Sequence, residues 1–155
     1  MKKTILILTL ITAIALCGCG KTSASDIDNI KTKKATFHEI EFAVPEYYEV
    51  VEDDLFEADA KYDSMFFVNS KNDKKFICVA RFNDEKLTDT LPEDGEEKEI
   101  NGIKGKRQTM HGSNVFKTLS TYTFNIKTEN GIIRYEISGD DETDFEVALK
   151  YLEIK

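Results

Sequence analysis

Apolar and polar positions recur with two different periods along this chain, and the periods divide it into elements. Ile40, Phe42 and Val44 alternate with Glu39, Glu41 and Ala43, the period of a half-buried strand, and Pro45 ends it. Tyr47–Val51 predicts a second strand. Met65–Val68 and Phe76–Phe82 are apolar on both faces, as in central strands, with NSKNDKK between them as the turn. Asp53–Ala60 is expected to form a helical turn. Near the end the period lengthens. Phe145, Ala148, Leu149 and Leu152 fall at i, i+3, i+4 and i+7, a stripe that suits a helix lying on a sheet. Thr143-Asp144-Phe145-Glu146 reads as its capping box, with Thr143 as N-cap and Glu146 at the third helical position.

Two Asn-Gly pairs predict hairpins, because both loop positions favour a positive φ. With Asn130-Gly131 as the loop, Glu129 faces Ile132, Ile126 faces Tyr135 and Phe124 faces Ile137, so apolar meets apolar on a buried face. With Asn101-Gly102 as the loop, Ile100 faces Ile103, Glu99 faces Lys104, Glu97 faces Lys106 and Glu96 faces Arg107. Three opposite-charge pairs in one register specify pairing more than they stabilise it. This second hairpin is polar on both faces and is expected to project or to form a sheet edge.

The first 18 residues follow a different pattern. Lys2 and Lys3 precede an uncharged, mostly apolar run from Ile5 to Leu16. A helix of that length covers about 18 Å, short of a bilayer core of roughly 30 Å, so the run is expected to be a signal peptide and not a membrane span. The run ends in Leu16-Cys17-Gly18-Cys19. One intervening residue is too few for a Cys-x-x-Cys redox pair, and His38 and His111 are the only histidines available for a zinc site. The four residues resemble the lipobox of bacterial lipoproteins, in which Leu at −3 and a small residue at −1 precede a cysteine that is lipidated. The resemblance implies cleavage between Gly18 and Cys19 and lipid attachment at Cys19. It also implies a protein lipid-anchored at the extracytoplasmic face of the cell membrane. Two acyl chains, of the palmitate kind, give stable anchoring where one gives only marginal binding.

Charge then separates two parts of the mature chain. Residues 19–34 are polar, hold four lysines against two aspartates, and are expected to form a flexible tether. Residues 35–155 hold 15 basic and 27 acidic side chains and are expected to form a single domain. An acidic domain with no basic stripe excludes nucleic-acid binding. Only Cys78 remains beyond the lipobox, so no internal disulfide is available to the domain.

The order of parts carries a second resemblance. IEFAVPEYYEV, the INGIKG turn, FKTLSTYTFNIKTENGIIRYEIS and the closing DFEVALKYLEIK resemble the PsbP-like superfamily over residues 36–155. That resemblance implies an α+β fold, a central antiparallel sheet with hairpins flanked by a C-terminal helix, and a binding or assembly role. It carries over no functional residue.

Candidate chemistry is sparse. His111-Gly112-Ser113 lacks the Gly-x-Ser-x-Gly elbow and is expected to be a loop. His38 precedes a strand and is expected at the surface or in a cap. SGDDETD, residues 138–144, gathers acids without calcium-loop spacing, and helix-start acids that complement the dipole account for it. LPEDGEEKE, residues 91–99, is expected to be a solvated acidic loop open to a basic partner. Cys78, inside an apolar strand, is expected to be a core residue and not a reactive thiol. There is no glycine-rich phosphate loop, and neither a cofactor nor a metal is expected. Two readings result. The first is a membrane-anchored, non-enzymatic module for an unknown protein or small-molecule partner. The second is an envelope hydrolase or metal-dependent enzyme with an unrecognised site.

Overall fold

The computed structural model describes residues 27–51, 61–112 and 117–155. Within them the fold is α+β, ten strands with a C-terminal helix. Strands β1 (Thr32–Phe37), β2 (Ile40–Pro45) and β10 (Glu153–Ile154) form a small antiparallel sheet in the order β1-β2-β10. The large sheet comprises β3 (Tyr48–Val51), β4 (Tyr62–Asn69), β5 (Asn72–Phe82), β6 (Glu96–Ile100), β7 (Ile103–His111), β8 (Thr118–Thr128) and β9 (Gly131–Gly139). Its order is β3-β4-β5-β9-β8-β7-β6, with every neighbour antiparallel. Helix α1 (Glu142–Lys150) and the small sheet pack on one face of it.

The core lies between these layers. Phe37, Ile40, Phe42 and Val44 of the small sheet meet Phe67, Ile77, Val79, Tyr122, Phe124, Tyr135 and Ile137 of the large one, with Phe145, Ala148, Leu149 and Leu152 closing the end. Phe42 meets Phe67 edge-on at 5.7 Å, and Phe124 stacks on Tyr135 at 5.5 Å. Strand β9 shows why alternation works: Ile133, Tyr135 and Ile137 are buried, while Arg134, Glu136 and Ser138 point to the other face.

Several expectations need adjustment. The strands flanking NSKNDKK run on into it, leaving Ser70 and Lys71 as the turn; Asn69 supports that turn by accepting from the N–H groups of Lys71 and Asn72. The acidic stretch 91–99 is loop only as far as Gly95, and its last four residues belong to β6. Strand β1 begins at Thr32, so ordered pairing starts upstream of the expected boundary at residue 35. Lys33 pairs with Val44 and Lys34 with Ala43. The N-cap of α1 is Asp141 and not Thr143: its carboxylate accepts from the N–H groups of Thr143 and Asp144. Asp outranks Thr as a cap, and here it also pairs with Lys75. The apolar stripe is buried as expected, but the helix stops at Lys150 and the chain leaves as β10 beside β2. The expected helical turn at 53–60 lies outside the described residues.

The Asn101-Gly102 hairpin has the expected register throughout, with φ of 51° and 83° at its two loop residues. The β8–β9 hairpin does not. Thr128 faces Gly131, Phe124 faces Tyr135 and Tyr122 faces Ile137, a two-residue slip from the expected pairing. The loop is Glu129-Asn130, and Gly131 takes φ 128° at the start of β9. Thr128 fixes it: its hydroxyl donates to the Gly131 carbonyl and accepts from the Asn130 N–H.

Candidate functional site: a charged cleft beside an edge strand

Two small features of β7 and β8 position the hairpin that forms one wall of the site. Tyr122 reaches under β7, and its hydroxyl donates to the Ile103 carbonyl at 2.7 Å, with the Lys98 carbonyl of β6 at 3.2 Å. That approach requires Gly105, since a Cβ there would lie 2.6 Å from both the Tyr122 ring and the Thr123 carbonyl. The β6–β7 ribbon is thereby held against β8 although almost all of β6 is exposed.

The second wall is the connection from β5 to β6, residues 83–95, which crosses the sheet face away from the helix. It is tied down by a cross-strand pair. Arg134 of β9 and Asn125 of β8 face each other, joined at 3.0 Å. Arg134 donates to the Thr90 carbonyl at 2.8 Å, and Asn125 to the Asp89 carbonyl at 3.2 Å. Asp89 also pairs with Lys127 at 2.5 Å, and the Lys106 ammonium donates to the Glu93 carbonyl at 3.1 Å. Between strap and ribbon lies a cleft of about 670 Å³. Asp89, Thr90, Leu91 and Glu93 line it from the strap, and Glu97, Lys98, Glu99, Lys104 and Lys106 from the ribbon. It is an open groove lined by charged side chains, with one large apolar residue, Leu91. A second opening of about 500 Å³ lies where the chain enters the domain, between Lys31, Glu46, Tyr47 and Lys71.

The shifted ionisable groups sit elsewhere, and the fold uses them. At the start of α1, Asp144 is buried and accepts the hydroxyls of Tyr47 at 2.6 Å and Tyr48 at 2.8 Å. Burial raises its pKa, partly offset by those two bonds, and burial likewise pushes both tyrosines well above the usual phenol range. Burial also opposes ionisation of Asp141, but Lys75 and the N–H groups of Thr143 and Asp144 outweigh it and its pKa falls. Asp140 accepts the Phe76 N–H, while Glu142 accepts the Ser120 hydroxyl and pairs with Arg107, which also pairs with Glu146. The acids of SGDDETD are thus placed as cap, dipole partners and interlayer ties. No group of His, Cys, Asp and Glu side chains suited to a metal is found among the described residues.

A third cluster joins the small sheet to the large one. Glu39 accepts the Tyr135 hydroxyl and faces Arg81; burial pushes the Tyr135 hydroxyl up to about 12. Beside it His38, at φ 50° in the β1–β2 turn, meets Asp63 at 2.6 Å. His38 is therefore a surface turn residue within hydrogen-bond reach of Asp63, which its position before a strand signalled only in part. His111 ends β7 with the Thr118 hydroxyl 3.4 Å away, and Ser113 lies outside the described residues. Cys78 is half-buried on the sheet face opposite the main core, and burial pushes its thiol up to about 12, so the thiolate that a nucleophile needs is suppressed. Gly18 and Cys19 lie outside the described residues. Among the described residues no helix is long and apolar enough to cross a membrane.

No protein-family model matches the chain, and no curated protein matches it. Similar solved structures include a protein from Bacteroides thetaiotaomicron, at 13% identity and a TM-score of 0.47, covering 81% of this chain and 48% of that one. This chain thus spans about half the length of that protein. They also include LpqN, involved in cell envelope biogenesis of Mycobacterium tuberculosis, at 14% identity and a TM-score of 0.43, covering 89% of this chain and 99% of that one.

Proposed function

We propose that this protein is a lipoprotein anchored through Cys19 at the extracytoplasmic face of the cell membrane. Its acidic, PsbP-like head binds a protein or small-molecule partner without catalysing a reaction. The observation that carries the anchor is the order of features in the first 19 residues: two lysines, an apolar run too short to span, then Leu16, Gly18 and Cys19 in lipobox places. The binding role is supported by how the head spends its side chains. Tyr47 and Tyr48, whose hydroxyls burial pushes well up, are both bonded to Asp144 beneath the start of α1. The cleft between strap and ribbon, by contrast, is walled by exposed charges. Such a groove recognises a polar partner.

Radioactive palmitate labelling and membrane fractionation test the anchor. Cys19→Ala should abolish labelling and release the protein, and Cys17→Ala should leave both intact. Release by Cys17→Ala with retention by Cys19→Ala would move the lipid to the wrong cysteine for this reading.

A further inference from the structure

We infer that β6 takes up, on its open edge, an extended segment of a partner protein with basic residues at alternate positions, Lys-Xaa-Lys or Arg-Xaa-Arg. This rests on the binding role proposed above and names the partner chemistry of that site. Strand β6 is the last strand of the large sheet, and among the described residues it is paired on one side only. The two-residue loop at Asn101-Gly102 makes Ile100 and Ile103 a hydrogen-bonded pair, and the antiparallel period then does the same for Lys98 with Gly105 and Glu96 with Arg107. The N–H and C=O groups of Glu97 and Glu99 are left pointing to the open side.

The side chains at those same two positions are also unspent. Glu97 and Glu99 stand in register with Lys106 and Lys104, but the Lys106 ammonium goes to the Glu93 carbonyl. Neither carboxylate closes an ion pair among the described residues. A strand added at this edge places its own residues directly opposite Glu97 and Glu99, two apart and on the face of the cleft, where opposite charges are favoured. By alternation along β6 the Lys98 side chain leaves the strand on the opposite face from Glu97 and Glu99, at the border of the cleft, so the middle residue of the incoming segment meets a cation and is best neutral or acidic. The charges also select against the competitor that any open edge invites, a second copy. Two β6 strands would bring glutamates against glutamates between heads that each carry 15 basic and 27 acidic side chains. The strap is already pinned by Arg134 and Asn125, so the groove needs little ordering on binding.

The probe is a short fluorescent peptide alternating Lys and Ser, titrated at physiological salt into the full-length protein, purified from whichever fraction holds it. Three control peptides go with it: the same composition with its lysines in one block, an alternating Glu-Ser peptide, and the Lys-Ser peptide N-methylated at every second amide. Saturable binding of the alternating peptide is expected. Glu97→Gln with Glu99→Gln, exposed changes that leave the fold intact by circular dichroism, should weaken it about tenfold or more, and N-methylation should do the same. Equal binding of the blocked or N-methylated peptide would mean diffuse attraction to an acidic surface and would overturn strand addition. So would absence of saturable binding, or self-association of the parent protein that Glu97→Pro abolishes, which would place a second copy on the edge. The peptide assay needs no membrane, so its failure is separable from failure of the lipid anchor.

Discussion

The β6–β7 and β8–β9 hairpins both contain Asn-Gly, which forms the loop of the first only, and they present opposite kinds of side chain. The first is exposed and charged, with Glu96, Glu97 and Glu99 facing Arg107, Lys106 and Lys104. The second buries Tyr122, Phe124, Tyr135 and Ile137 against the helix and the small sheet. Burial supplies the free energy, yet an alternating apolar face looks the same after a shift of two residues, so it fixes the face and leaves the register to the turn. Charge supplies little free energy, but a shift of two would leave the β6 acids against other partners. The apolar hairpin is therefore stable with a register its turn must choose. The charged hairpin is weakly held with a register its side chains choose.

The largest expected effect breaks the stable side of this comparison. Phe124 is fully buried and stacked on Tyr135, so Phe124→Ala should cost about 3–5 kcal/mol. Glu97→Ala should stay within about 0.5 kcal/mol, as exposed substitutions do. Urea midpoints of the two variants measure the contrast. Losses of similar size would mean that the edge ribbon carries stability that its exposure does not account for.

The turns come next. Gly102, at φ 83°, and Gly131, at φ 128°, both have open space where a Cβ would go, so backbone strain alone separates them. Asn tolerates the left-handed region near φ 60° but not values far beyond it. Gly131→Asn should cost about 2 kcal/mol and Gly102→Asn about 1 kcal/mol or less. Equal losses would say that the two loops share one geometry. The slipped register has its own check. Cysteines placed at Lys127 and Ile132, which face each other, should cross-link under mild oxidation, and a Glu129 and Ile132 pair should not.

This contrast also explains what could be read from the chain in advance. Both hairpins, the alternating strands and the Phe145, Ala148, Leu149 stripe are local patterns, and local patterns carry the element type. The misplaced cap is a local ambiguity: Asp141-x-x-Asp144 and Thr143-x-x-Glu146 overlap, and Lys75, far off in sequence, tips the balance to Asp141. The cleft was legible only as an acidic stretch at 91–99. Its other determinants are Asn125 and Arg134, polar residues on the outward face of β8 and β9, whose bonds to the Thr88, Asp89 and Thr90 carbonyls have no local signature. Cys19, the residue of the strongest motif, lies outside the described residues.

The start of α1 is where both hairpins meet the helix, through Arg107 of β7, Ser120 of β8 and Gly139 of β9. Asp141→Ala removes the cap and should cost about 1 kcal/mol at neutral pH. Its folded pKa is lowered, so the stability it contributes is present above the unfolded value near 4 and is lost as pH falls through the folded value. The gap between parent and variant should therefore close on acidification below about pH 4. Asp144 has the opposite sign: its raised folded pKa means its ionised form is penalised, and that penalty fades as pH falls. A gap that widens in acid would show that Asp141 is not the ionised cap.

The smallest effect is the most telling about register. A double-mutant cycle on Glu99 and Lys104 should give a coupling of about 0.2–0.5 kcal/mol that fades with added salt. The cycle on Glu96 and Arg107 should give less, although the two face each other in the same ladder. Arg107 is drawn to the helix, where it pairs with Glu142 and Glu146 and lies 5.4 Å from the centre of the Phe145 ring. The cycle on Arg107 and Glu142 should therefore exceed both, since Arg107 is mostly buried and holds two carboxylates at once. A Glu96–Arg107 coupling larger than that of Arg107 with Glu142 would put the guanidinium back on the ladder. The charged hairpin would then hold its register by its own charge pairs alone, and the helix would have no part in placing Arg107.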